Sequence, residues 1–152
     1  MLTYIPSAVL EDKDDPRPVK TLEALHAATA GWSQRPGSLG AHDLLTHDRG
    51  GDIDLSSMPT QLVDQIRTAW SALPIRSDHC VVHGDAGPGN AILTRDGRCV
   101  LIDFDEARVD HPAFDTGTTP TAQRAQLAWE IATCWHAEPR YAQSLVPSFL
   151  TQ

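Results

Sequence analysis

The sequence predicts an α+β domain that is mostly helical and carries one short β-hairpin. Apolar residues recur at helical spacing in separate stretches: Leu22, Leu25 and Ala28, then Leu62, Ile66, Ala69, Trp70 and Leu73, then Leu127, Ile131 and Cys134. Short runs of strand formers, Cys80-Val81-Val82, Ala91-Ile92-Leu93 and Cys99-Val100-Leu101-Ile102, fall between the second and third of these. Asp96-Gly97, a dipeptide suited to a tight turn, separates the last two runs. A chain of 152 residues with 41% hydrophobic content is the size of one domain with a single core.

Taken in order, residues 2–10 read as an extended lead-in, followed by the charged, proline-punctuated stretch Glu11 to Pro18. Val19 to Thr29 is predicted to be a helix. Gly31 to Ser57 is dense in Gly, His and Asp, and reads as a solvated connection with a short helical piece near Ala41 to Leu45. His42, Asp43, His47, Asp48, Asp52 and Asp54 are ligand types, but their spacing fits no metal motif. Pro59 to Leu73 is a second helix, with Ser57 as candidate N-cap, Pro59 in the first turn and Pro74 as its stop. Beyond the strand runs, Thr121 to Trp135 is predicted to be helical. Tyr141 to Leu150 reads as a short final helix weakened by Pro147.

The net charge of −8 argues against nonspecific nucleic-acid binding, which needs basic patches. It mildly favours a cationic substrate. No apolar stretch approaches the roughly 20 residues that span a bilayer. Met1 to Pro6 breaks at proline rather than forming a signal peptide, so no membrane partner and a cytoplasmic location are expected. The three cysteines, Cys80, Cys99 and Cys134, are expected to be free thiols of a reducing compartment.

The residues that carry chemistry sit on the strand runs. His83-Gly84-Asp85-Ala86-Gly87-Pro88-Gly89-Asn90 follows the first run, and Asp103-Phe104-Asp105 follows the last. Paired strands of similar length end at the same level, so the hairpin is expected to return Asp103 beside Asn90. Hard oxygen ligands with a carboxylate near an attacking hydroxyl suit phosphoryl transfer from a nucleotide. A metallophosphoesterase would need a His after the Asn, where Ala91 stands. Zinc is disfavoured, because on a strand His79 and His83 share one face and Cys80 lies on the other.

The His-Gly-Asp-x4-Asn run and the apolar strand ending in Asp-x-Asp resemble the signatures of the aminoglycoside phosphotransferase and choline kinase family. The resemblance implies a protein-kinase-like C-terminal lobe, with ATP and Mg²⁺ as cofactors and a small-molecule hydroxyl as acceptor. It makes Asp85 the catalytic residue and Asn90 and Asp103 metal ligands. Asp105 is either a helper at the metal or substrate side or a solvated acidic turn. His83 is expected to brace the loop. His111-Pro112-Ala113-Phe114-Asp115 is similar to the family's Pro-x-x-Asp element, which gives Asp115 a structural role securing the catalytic loop. Leu25-His26-Ala27 resembles a family helix, with His26 expected at the edge of the core. After Asp115 the family continues with a small apolar helical start, whereas Thr116-Gly117-Thr118-Thr119-Pro120 suggests a looser turn.

Leu2, Thr3 and Tyr4 look like the family's nucleotide-binding hinge, with no N-terminal lobe placed ahead of them. The family's phosphate loop, strand lysine and helix glutamate cannot be located. Residues 1–152 are therefore expected to form a C-lobe that self-associates or pairs with a chain supplying the missing lobe. The competing expectation is a non-catalytic binding module of the same shape, and a lesser one is a metal-dependent phosphohydrolase.

Overall fold

The computed structural model describes residues 7–9, 15–74 and 79–152. The hinge-like Leu2, Thr3 and Tyr4 lie outside the described residues, as do residues 11–14 of the charged stretch. Helices and short antiparallel strands alternate along the chain. The first strand, β1 (Ser7–Val9), belongs to the predicted lead-in. It is followed by α1 (Arg17–Thr29), which starts before the predicted Val19. Pro18 sits in the first turn, where a missing N–H costs nothing. Asp15 accepts from the Arg17 backbone N–H and its guanidinium. That bonding holds the Asp15 carboxyl down at about 2.

The connection after α1 is more structured than the sequence suggests. A 3₁₀ turn covers Asp43–Leu45, β2 (Arg49–Gly50) and β3 (Ile53–Asp54) form a tight hairpin, and a second 3₁₀ turn covers Leu55–Ser57. Leu44, Ile53 and Leu55 are buried in the main core, so the reading of this region as a solvated connection is corrected. Its apolar residues are too scattered to show either helical or strand periodicity. Full burial of each still contributes roughly 1.5–3 kcal/mol. Three of the acidic residues here are occupied with local structure. Asp43 accepts from the Gly40 amide, Asp48 pairs with Arg67, and Asp54 pairs with Arg49 and caps Ser56.

The second helix, α2 (Thr60–Ser71), buries Leu62, Val63, Ile66, Ala69 and Trp70. Pro59 occupies its N-cap position without a side-chain bond, which corrects the assignment of Ser57 as cap. Ser57 instead closes the preceding 3₁₀ turn and bonds His136 Nε2 at 2.8 Å.

The central strands split between two sheets. β5 (Ala91–Thr94) and β6 (Cys99–Leu101) form the hairpin, with Ala91 opposite Leu101 and Gly97 turning at φ +82°. β1 pairs with the other edge of β5, giving the order β1-β5-β6. β4 (Cys80–Val82) does not join this sheet. It pairs with β7 (Arg108–Asp110), a strand that the sequence reading left unassigned. Thr29 Oγ1 accepts from the Val81 amide, so α1 positions β4 directly.

A one-turn helix, α3 (Ala113–Thr116), leads through a turn at 117–119 to α4 (Pro120–Ala137). Thr119 caps α4 by accepting from the Ala122 amide at 3.2 Å. The last helix, α5 (Pro139–Thr151), runs through Pro147. Its buried Ala142 and Phe149 dock it on the rest of the core, and this packing outweighs a proline penalty of about 3 kcal/mol. α4 packs against both α2 and α5, with the Trp70 and Trp129 rings 5.8 Å apart at its centre. Among the described residues no helix is long and apolar enough to cross a membrane.

Candidate active site

The loop between β4 and β5 is built around a reversal at Gly84. Its φ of +87° is in the left-handed region that L side chains rarely adopt. A Cβ there would lie 2.6 Å from the Glu106 carbonyl oxygen and 2.8 Å from Arg108 Nη1, so the close approach also requires glycine. Asp115, from α3, fixes this reversal. Its Oδ2 accepts from the His83 amide at 2.8 Å and its Oδ1 from the Gly84 amide at 2.9 Å. The side chain is fully buried, and His26 Nε2 of α1 donates to Oδ2 across 2.7 Å. His26 is therefore a third donor to the carboxylate that holds the loop, which goes beyond the helix-edge position expected for it.

His83 ties the loop to the end of β6. Its ring is fully buried. Nε2 donates to the Ile102 carbonyl at 2.8 Å, and the ring packs on Phe104 with centroids 4.5 Å apart. Nδ1 faces the Asp85 amide at 3.4 Å. An imidazole engaged on both nitrogens ties the loop to the end of β6.

Asp85 is exposed, and Asn90 holds it. Asn90 Nδ2 donates to both Asp85 O and Asp85 Oδ2 at 2.8 Å. Asn90 closes a 3₁₀ turn, Pro88–Asn90, and its carbonyl accepts from the Ile102 amide at 2.9 Å. Asp103, next in the chain, is exposed at φ 64°, a sparsely populated conformation for a residue other than glycine. A single hydrogen-bond network thus runs from Asp85 through Asn90 to the residue before Asp103.

The donor set suits a hard cation. Asn90 turns its NH₂ to Asp85, which leaves Oδ1 as an acceptor, and Asp103 has no hydrogen-bond partner among the described residues. Among these residues no cluster of three or more His, Cys, Asp or Glu is spaced to hold a metal. Asp105 is exposed and lines a separate small cavity of about 40 Å³ beside Glu106 and Asp52.

A larger cavity of about 520 Å³ opens beside Asp85. Glu106, Phe114, Trp129, Glu130 and Tyr141 line it together with Asp85, and among the described residues its lining includes no Lys, Arg or His. Trp129 and Glu130 come from the middle of α4, and Tyr141 from the start of α5. The sequence reading missed all of these except Asp85. For Trp129, Glu130 and Tyr141 the signal in sequence was polar and aromatic residues off the apolar stripe of a helix, which most surface helices share.

Tyr141 Oη donates to Glu130 Oε1 at the cavity wall. This bond favours the protonated phenol and pushes Tyr141 up to about 12. The contribution to stability is present below pH 10 and is lost as pH rises toward 12. A Glu130→Gln substitution is expected to return one phenol transition toward 10 in a spectrophotometric titration. An unchanged titration would show that the pair does not form.

The family model described as "phosphotransferase enzyme family" matches residues 1–142. No curated protein matches the chain. The matched span takes in both strand motifs, the loop-holding Asp115 and the whole of α4, and the chain belongs to the phosphotransferase enzyme family.

Proposed function

We propose that this protein is an ATP- and Mg²⁺-dependent phosphotransferase acting on the hydroxyl group of a small acceptor, and that residues 1–152 correspond to a kinase-like C-terminal lobe. The observation that carries the reading is the position of Asp85. Asp85 lines the 520 Å³ cavity, and its Oδ2 accepts from Asn90. An acceptor in the cavity would present its hydroxyl to Asp85. The hydroxyl oxygen forms a bond to the γ-phosphorus, the bond from phosphorus to the departing ADP oxygen breaks, and the hydroxyl proton passes to Asp85. Asn90 and Asp103 would hold Mg²⁺, which when bound neutralises charge on the phosphates.

The cavity's carboxylates and aromatic rings suit an acceptor of the aminoglycoside or choline type. Ile102 and Phe104 are exposed apolar residues on either side of Asp103. We place the nucleotide on that surface.

Calorimetric titration with Mg²⁺ and ATP tests the reading. The wild type is expected to bind the nucleotide only with metal present, and Asp103→Ala is expected to lose that dependence. Transfer of labelled phosphate to kanamycin, choline, homoserine or glucose identifies the acceptor. Absence of nucleotide binding would favour the binding-module alternative, and release of free phosphate alone would favour a hydrolase.

A further inference from the structure

Arg108 is a buried cation that the proposed chemistry does not use. It is 4% exposed, on β7, directly beneath the Asp85 loop. Nε donates to Asp110 Oδ2 at 2.9 Å, and Nη1 donates to the Glu106 carbonyl at 3.3 Å. The guanidinium carbon lies 3.3 Å from the centroid of the Trp129 ring and 4.7 Å from that of Phe114. Nη2 has no hydrogen-bond partner among the described residues.

These contacts reach both the aromatic wall of the large cavity and the loop that carries Asp85. Trp129, Phe114 and Glu106 are walls of the large cavity, and Trp129 Nε1 points to Glu106 Oε2 at 3.4 Å. On the loop side, the 2.8 Å between Nη1 and an ideal Gly84 Cβ puts the guanidinium against the loop backbone next to Asp85. Asp110, the ion partner, also accepts from the Ala41 and His111 amides, which anchors the assembly to the body of the domain.

Stability alone does not account for a charge in this place. Burying a guanidinium with one nitrogen unpaired is costly, and an apolar side chain of similar volume would fill the space at lower cost. Burial accordingly lowers the Arg108 pKa, opposed by Asp110, Asp115 and Glu106. An apolar residue could not lie flat on an indole while its fork donates in two directions.

We propose that Arg108 is a positioning residue that fixes the Asp85 loop at a set distance from the Trp129 wall of the acceptor cavity. The proposal rests on the phosphotransferase reading for its kinetic consequence, and on the structure alone for its effect on the loop. Displacement of reacting groups by about 1 Å can cost about 100-fold in rate. Arg108→Met should therefore lower kcat by 10–100-fold. KM for Mg-ATP should stay within about twofold, since Arg108 touches neither Asn90 nor Asp103. Arg108→Lys keeps the charge but not the fork, so it should recover only part of the loss.

The test measures both variants with Mg-ATP and whichever of kanamycin, choline, homoserine or glucose the wild type phosphorylates fastest. Amide hydrogen exchange is followed in parallel. The Gly84 and Asp85 amides should exchange at least about tenfold faster in Arg108→Met, while core amides of α2 and α4 stay protected. If the wild type phosphorylates nothing, the phosphotransferase reading fails and the exchange result alone decides the proposal. If Arg108→Met does not fold, Arg108→Lys carries the test. Wild-type kcat with wild-type exchange in the lysine variant would overturn the proposal, as would a uniform rise in exchange across the core of a folded variant.

Discussion

Asp85→Asn is expected to reduce phosphate transfer by about 10³-fold, within the 10²–10⁴ range for loss of a positioned base. The substitution is close to isosteric. Asn90 Nδ2, which reaches Asp85 Oδ2 at 2.8 Å, can still donate to a carboxamide oxygen in its place. The loop should therefore keep its shape, held by Asp115 from below. Because Asp85 is exposed, stability should change by no more than about 0.5 kcal/mol. Binding of Mg-ATP should persist, because the proposed ligands Asn90 and Asp103 are untouched. The informative pattern is a collapse of kcat with nucleotide affinity and thermal midpoint unchanged. A variant that transfers phosphate at close to the wild-type rate would remove Asp85 from its assigned role.

Asp115→Ala is expected to have the largest effect on stability, about 3–5 kcal/mol. The carboxylate is fully buried and receives the His83 amide, the Gly84 amide and His26 Nε2. Removing it strands those donors, and each buried donor left without an acceptor costs roughly 1–3 kcal/mol. Domains of this size are stable by roughly 5–15 kcal/mol, so the variant should unfold at much lower denaturant. Asp115→Asn keeps one acceptor oxygen but turns an NH₂ toward another donor, so an intermediate loss is expected. His26→Ala should cost less than either, since both loop amides keep their acceptors. Urea unfolding of the three variants checks the order. A loss below about 1 kcal/mol for Asp115→Ala would mean that other contacts hold the loop.

The hairpin that carries Asn90 and leads to Asp103 was legible in the chain. Asp96-Gly97 between two strand runs gave the hairpin, and its register, Ala91 opposite Leu101, brings Asn90 and Asp103 to the same end. The helices were legible where their apolar stripes repeat, as in α2 with Leu62, Ile66, Ala69 and Trp70. The β2–β3 hairpin was not, because strands of two residues carry too little pattern to distinguish from a loop. Pro147 was over-weighted, since a helix docked by Phe149 tolerates a proline that an isolated helix would not.

The sequence by itself determined the chemical groups and their spacing, because a hairpin and its flanking turns depend on neighbours within about a dozen residues. Only the tertiary structure decided what surrounds those groups. It paired β4 with β7, set His26 against Asp115 across 89 positions of chain, and brought Trp129, Glu130 and Tyr141 up to Asp85. Such contacts form when separate elements pack their apolar faces together. The polar residues that meet as a result carry no periodic signature of their own.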